Sequence, residues 1–182
     1  EIDILVNEDT SQIAELLKHV NTIHLFSYEK KDKNKWKQER LLFKKIFRKY
    51  DLSINLTSSD RSVIYSILSS KRSISSIEKN TKKSWWKKIL LYKFYYFDFK
   101  KHILLNNLKP LDILNIEYKK VQDPIEVDKN ILISVKKRLE KKGIKHFLIY
   151  HPSAQYSYKV YPLELRNSLL KKLSTLGIPI VI

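Results

Sequence analysis

The chain has 182 residues, of which 43% are hydrophobic, and its 36 basic and 19 acidic residues give a formal net charge of +17. This hydrophobic content is enough for a packed core, so a fully disordered chain is excluded. Without cysteine the chain forms neither disulfides nor thiolate metal sites, and its five histidines lack the spacing of a zinc site, which disfavours a zinc enzyme.

The first third of the chain alternates strand-like and helix-like segments. Strands are predicted at residues 2–6, 22–26 and 51–56, where short apolar runs end at polar residues. Each is followed by a predicted helix, at residues 10–20 with Thr10 as the cap, 35–50 and 62–70. The predicted inward side chains of the second helix are Trp36, Leu41, Phe43, Ile46 and Phe47. This alternation predicts a parallel sheet covered by helices, with right-handed crossovers.

The rest of the chain predicts a domain boundary. Residues 73–83 are polar and are predicted to form a loop, and the aromatic, lysine-rich segment 84–116 predicts two helices, the second bent or interrupted at Pro110. Residues 117–128 have the composition of a polar linker. The predicted organisation is a first domain over 1–116, a linker over 117–128 and the start of a second domain over 129–182. The second domain has a predicted helix, strand, helix and further strand at 131–143, 145–150, 162–176 and 178–182.

The positive charge is concentrated in two segments. Residues 29–49 contain ten basic and three acidic residues, and residues 71–101 contain ten basic and two acidic ones. A basic nucleic-acid-binding module is one interpretation. Arginine, the preferred residue for phosphate and base contacts, supplies only six of the 36 basic residues, which disfavours nucleic acid as the partner. A basic face toward an anionic partner and a merely solvated surface both stay open.

Two loops follow predicted strands, where ligands of open parallel sheets collect. They are residues 55–62 and 151–161. The second precedes a helix that opens at Pro162, whose first N–H groups and positive dipole end favour phosphate. The loop offers three hydrogen-bonding side chains and one cation: Ser153, Gln155, Ser157 and Lys159. The alternative is that these residues have only structural roles: Ser153 caps the loop, Tyr161 packs against the protein and Lys159 is solvated.

The segment HPSAQYSYKVYP, from His151 to Pro162, resembles a loop of glycosyltransferase family 9, the bacterial heptosyltransferases of lipopolysaccharide core synthesis. In that family a strand ends in His-Pro, small hydroxyl residues follow, and a lysine and an aromatic residue precede a helix-opening proline. The segment from Tyr50 to Ser75 resembles the family's strand, helix and turn around "fDlvidlqgs", although residues 57–59 replace the usual glycine. The resemblance covers nearly the whole chain.

This resemblance implies an α/β fold of the GT-B type, with an N-terminal acceptor-side Rossmann-like domain and the beginning of a second, nucleotide-sugar-binding one. It implies an inverting, metal-independent and cofactor-free transfer of heptose from ADP-heptose to the lipopolysaccharide inner core. The implied partners are the nucleotide sugar, a lipid A-core acceptor and an anionic membrane surface. A cytoplasmic location, peripheral to the inner face of the cytoplasmic membrane, follows from them.

The resemblance also assigns residues to roles. Ser153 and Lys159 match the residues that hold the donor phosphates, and Gln155 and Ser157 are further candidates in that loop. The acceptor-side candidates at the first corner are Ser59, Arg61 and Ser62. The candidates for membrane or acceptor contact are Trp85, Trp86, Lys87 and Lys88, with a core position as the alternative for both tryptophans.

The catalytic residue is left unassigned. The family's carboxylate base lies at a Gly-Asp corner after the first strand, and both would precede Glu1, so the chain is interpreted as a fragment that is inactive alone. Two alternatives to a transferase stay open. They are a basic nucleic-acid-binding module and a non-catalytic domain with a transferase-like fold.

Overall fold

The computed structural model describes residues 1–79, 82–119, 125–154 and 156–182, and within residues 29–35 it describes only the backbone. The chain divides into two compact units, Glu1–Glu126 and Val127–Ile182. This division lies inside residues 117–128, the predicted linker. No helix in the described ranges is long and apolar enough to cross a membrane.

The first unit alternates strands and helices, and its strands pair in parallel. β1 pairs with β2, while β3, β4 and β5 form a second sheet in that order. Because the strands of each sheet run in one direction, their carboxyl ends share one edge. The elements are β1 Asp3–Asn7, α1 Ser11–Ala14, β2 Thr22–Phe26, α2 Tyr28–Ile46, β3 Tyr50–Asn55, α3 Asp60–Ser69, β4 Ser70–Ile77, α4 Trp85–Leu90, β5 Lys93–Tyr96 and α5 Ile103–Ile113.

The second unit repeats this pattern on a smaller scale. Its two short strands pair in parallel through Leu148 with Ile180 and Ile149 with Val181. A helix precedes the first strand and another connects the two strands. The elements are α6 Lys129–Lys141, β6 Leu148–Ile149, α7 Leu163–Ser174 and β7 Ile180–Val181.

Strand β4 corrects the prediction of a loop from residue 73. It is the middle strand of its sheet, and Ser70 and residues 73–77 are buried. Hydrogen bonds satisfy buried serines: Ser70 Oγ donates to Ser53 Oγ at 2.8 Å, and Ser75 Oγ accepts from Asn55 Nδ2 at 2.8 Å. The hydroxyls of Ser70 and Ser75 find partners inside the unit, which favours burial of these polar residues, whereas the buried Ser76 Oγ has no hydrogen-bond partner among the described residues.

Other local predictions also differ from the structure. The aromatic segment contains the two predicted helices, but the strand β5 lies between them. Pro110 is buried inside α5 and does not interrupt it, and a bend at this residue stays a prediction. Helix α1 has only four residues, and Thr10 occupies its cap position as predicted but makes no side-chain capping bond. The Thr10 hydroxyl donates instead to the Asn7 carbonyl at 2.8 Å.

The inner face of α2 also differs from the prediction. Ile46 is buried as predicted and Phe43 is half-buried, but Leu42, which was not predicted, is only 4% exposed. Leu42 and Ile46 are one helical turn apart and pack with Phe26 and Tyr65. The other predicted inward residues are exposed: Trp36, Leu41 and Phe47.

A side-chain network joins the first three strands near the starts of β1 and β3. Tyr50 Oη donates to Asp3 Oδ2 at 2.7 Å and lies 2.7 Å from His24 Nε2. Lys49 Nζ is 3.8 Å from the same carboxylate oxygen. Since the described parts of β1 and β3 do not pair, this network links the two sheets.

The network predicts a loss of stability in acid. Burial lowers the pKa of His24 below its ordinary 6.5, against the opposing effect of Asp3. The unfolded chain therefore binds the proton more readily, so the free energy of unfolding should fall as the pH drops below that ordinary value. The hydrogen bond from Tyr50 lowers the pKa of Asp3, which adds a second loss as the pH falls through the folded pKa of that carboxyl.

Urea unfolding at a series of pH values checks this prediction. The His24→Gln variant should show a shallower decline on acidification through mildly acidic pH than the unmodified protein. His19→Asn is the control, because His19 is exposed and its φ of 66° is one that asparagine tolerates. If the unfolding free energy declined equally in both variants, the loss of stability in acid could not be assigned to His24.

Candidate functional site

The loop between β3 and α3 presents a network of amide and hydroxyl groups. Asn55 Nδ2 donates to Thr57 O at 2.6 Å and to Ser75 Oγ at 2.8 Å. Thr57 Oγ1 donates to Ser62 Oγ at 2.7 Å, and Ser59 Oγ accepts from Ser62 N at 3.3 Å as the cap of α3. These bonds hold the corner in the absence of the glycine found in the family that it resembles.

A buried lysine supports this corner from α4. The Lys87 side chain is 1% exposed, and its ammonium lies 2.5 Å from Ser58 O and 2.8 Å from Asp60 Oδ1. It also lies 3.1 Å from Glu78 Oε2, to which Ser84 Oγ donates at 2.9 Å. Although burial acts in the opposite direction, the hydrogen bonds to the two carboxylates raise the pKa of Lys87.

This burial corrects the prediction that Lys87 contacts a membrane, because its ammonium is enclosed by protein groups. Trp86 is corrected in part: it is half-buried and packs against the core cluster that contains Val63, Ile77 and Leu91. Trp85 is 63% exposed and Lys88 is exposed, so these two stay candidates.

The acceptor-side candidates lie at the corner, but each has partners within the protein. The Arg61 guanidinium pairs with Glu39 of α2 and lies 3.7 Å from the centroid of the Phe26 ring. Ser59 and Ser62 bond to each other, with 2.8 Å between their hydroxyl oxygens. Contact with an acceptor stays a prediction for all three residues.

The loop after β6 borders a cleft of about 260 Å³. Ser153 and Lys159, the two residues matched to phosphate binding, both line it. Ser157 lies in a short 3₁₀ turn and is not among the lining residues, and Gln155 lies outside the described residues. The remaining lining residues are Tyr150, His151, Pro152, Val160, Tyr161 and Leu169.

The ammonium of Lys159 lies over aromatic rings. Its distance to the ring centroid is 5.3 Å for Tyr156 and 5.7 Å for Tyr158, and the two rings stack with their centroids 5.5 Å apart. The ion pairs found in the described part of the chain use other cations. A cation–π contact positions an ammonium while its N–H groups can still donate to an anion.

The amino-terminal end of α7 faces the same loop. Pro162 is the cap residue and makes no side-chain capping bond. Arg166 N donates to Pro162 O at 2.8 Å, and Arg166 Nη1 reaches Pro152 O at 3.4 Å, so the helix is tied to the loop. Uncapped first-turn N–H groups and the helix dipole favour an anion here, although Glu164 adds a carboxylate to the first turn.

Sequence reasoning missed three parts of these sites. The tyrosine pair beside Lys159 was visible as Tyr156 and Tyr158, which flank one residue of the loop. The tie from Arg166 and the enclosure of Lys87 gave no local signal, because both depend on residues from other elements.

No protein-family model and no curated protein matches this chain. Three solved structures share its fold at 14% sequence identity. E. coli heptosyltransferase WaaC with ADP-2-deoxy-2-fluoro heptose superposes with a TM-score of 0.69, covering 98% of this chain and 57% of that one. WaaC with ADP gives 0.67, with 98% and 56% covered. The glycosyl transferase family 9 structure from Veillonella parvula DSM 2008 gives 0.73, with 97% and 52% covered.

At 14% sequence identity, the similarity to these structures establishes the fold alone. The predicted α/β architecture of the GT-B type is confirmed. The chain spans about half the length of each of these structures.

Proposed function

We propose that this chain is part of a glycosyltransferase that uses a nucleotide-sugar donor, and that the loop from His151 to Pro162 binds the donor's diphosphate. One observation carries the proposal: Ser153 and Lys159 line the same cleft, beyond the carboxyl end of β6 and before the uncapped end of α7. The fold adds support, because the two WaaC structures contain ADP or an ADP-heptose analogue.

In the proposed reaction an acceptor hydroxyl attacks the anomeric carbon of the donor sugar while the bond to the diphosphate oxygen breaks. Lys159 and the first N–H groups of α7 stabilise the negative charge that develops on the departing diphosphate. The hydroxyl of Ser153 donates a further hydrogen bond. The acceptor's proton passes to a carboxylate base, which we leave unassigned among the described residues.

The same proposal includes the identity of the donor and acceptor, the stereochemistry of the transfer and the location of the protein. The donor is ADP-heptose, the acceptor is the lipopolysaccharide inner core, and the transfer inverts the anomeric centre without a metal ion or a cofactor. The corner of the first unit, with its hydroxyl-rich loop from Thr57 to Ser62, is placed on the acceptor side. The protein is placed at the inner face of a bacterial cytoplasmic membrane, with Trp85 and Lys88 among its contacts.

Calorimetric titration tests the proposal against the nucleic-acid-binding alternative. The protein is titrated with ADP-heptose, with UDP-glucose as a control that differs in both base and sugar, and with a DNA duplex of arbitrary sequence. We expect saturable binding of ADP-heptose, weaker binding of UDP-glucose, and any DNA binding to fall steeply as salt rises. Tight DNA binding without ADP-heptose binding would refute the proposal.

A further inference from the structure

The segment that joins β5 to α5 exposes a cluster of apolar side chains. Phe99 is 84% exposed, and in the first turn of α5 Ile103, Leu104 and Leu105 are 51%, 57% and 51% exposed. We call residues 99–105 the apolar loop. Contiguous exposed apolar side chains mark interaction surfaces more often than scattered ones do.

Hydrogen bonds fix the backbone of the apolar loop. Asn106, which is 3% exposed, accepts from Asp98 N at 2.9 Å and donates to Asp98 O at 3.0 Å. Asp98 Oδ1 accepts from Lys100 N at 3.0 Å, and His102 Nδ1 accepts from Leu104 N at 3.2 Å. The apolar side chains are therefore presented to solvent by a structured loop.

The charge of the apolar loop favours an anionic partner. Lys100 and Lys101 are exposed within it, and the loop contains no acidic residue. The neighbouring Asp98 bonds to the backbone of Lys100. Lysines beside aliphatic and aromatic side chains match an anionic bilayer, where the apolar groups enter the interface and the ammonium groups reach lipid phosphates. Nucleic acid would use the lysines but not the exposed apolar side chains of Ile103, Leu104 and Leu105.

The position of the apolar loop connects it with the proposed acceptor side. β3, β4 and β5 run parallel in one sheet, so the loop after β5 leaves the same edge as the hydroxyl-rich corner after β3. A bilayer held at the apolar loop would therefore lie along the edge at which a lipid-linked acceptor is expected.

We propose that the apolar loop docks the protein on an anionic lipid bilayer. Phe99, Leu104 and Leu105 insert at the level of the acyl chains, and Lys100 and Lys101 contact lipid phosphates. The inference rests on the proposed function for the lipid-linked acceptor and for the membrane location, and it adds the segment that makes the contact. Vesicle binding needs neither donor nor transfer, so its failure and the failure of the transferase proposal are separate results.

Vesicle sedimentation tests the apolar contacts. The vesicles contain phosphatidylglycerol and phosphatidylcholine in equal parts, with phosphatidylcholine alone for comparison. We expect the protein to sediment with the anionic vesicles, and the Phe99→Ser, Leu104→Gln, Leu105→Gln triple variant to bind them about tenfold more weakly or worse. The matched triple changes residues of similar exposure in the same unit and should retain binding: Trp36→Ser, Leu41→Gln and Ile64→Gln.

Charge reversal tests the lysines. The Lys100→Glu, Lys101→Glu variant should lose affinity for anionic vesicles, whereas Lys71→Glu, Lys79→Glu, with the same change in net charge at exposed positions, should keep most of it. Equal binding by the two triple variants, or equal losses in the two charge-reversed variants, would overturn the proposal. A large drop in unfolding temperature of the Phe99 triple variant would also overturn it, because it would show that protein covers the loop.

Discussion

Replacing Lys87 by methionine is expected to lower the free energy of unfolding by about 2–4 kcal/mol. Breaking a buried ion pair typically costs about 3–5 kcal/mol, and the lower figure here allows for Asp60, which is 72% exposed. The loss arises because the Ser58 carbonyl and the Glu78 carboxylate both lose the ammonium that they contact. Methionine retains much of the apolar stem, so the effect reports the charge and its hydrogen bonds more than a cavity.

Urea unfolding followed by circular dichroism measures this change. Lys88→Met is the matched control, since Lys88 is the next residue of α4 and is exposed. Its effect should stay within about 0.5 kcal/mol, as for ordinary surface substitutions. If both variants had the same stability as the unmodified protein, the enclosed ion-pair cluster would not support the corner.

Replacing Lys159 by glutamate is expected to weaken ADP-heptose binding by about 10- to 100-fold. A hydrogen bond to a charged group contributes about 1.5–3 kcal/mol, and each 1.4 kcal/mol corresponds to a factor of about ten in affinity. The new carboxylate also repels the diphosphate. Calorimetric titration measures the change.

Lys145→Glu is the control for this variant. It makes the same change in net charge at an exposed residue that precedes β6, at the strand end opposite the cleft. Its donor affinity should stay close to that of the unmodified protein. If Lys159→Glu bound the donor as well as Lys145→Glu does, the phosphate assignment would be wrong.

The α/β class was predictable because apolar periodicity alternates clearly between residues 2 and 70. Strand β4 was not predictable in this way. Its serines carry no apolar pattern, and its burial depends on tertiary contacts: Ile74 and Ile77 are fully buried, and Ser70 and Ser75 form hydrogen bonds with Ser53 and Asn55. β5 was hidden for a related reason, since its aromatic residues continue the aromatic, lysine-rich composition that begins in α4.

The side chains of the loop after β6 and of the corner after β3 were also only partly predictable from the sequence. Ser153 and Lys159 were predictable as a pair because they lie in one short loop of the sequence, ahead of a helix-starting proline. The role of Lys87 was not predictable, because Asp60 and Glu78 reach it from the ends of two other elements. A lysine enclosed by the tertiary fold has the same local sequence signature as a solvated one.

An ADP titration followed by the backbone amide signals tests the central claim most directly, namely that the loop from His151 to Pro162 and the start of α7 bind the donor's diphosphate. We predict saturable shifts of the amides of Ser153, Lys159, Leu163 and Glu164, with signals of the corner from Thr57 to Ser62 unchanged. Saturable shifts confined to that corner, or no saturable shift in the loop, would contradict the account.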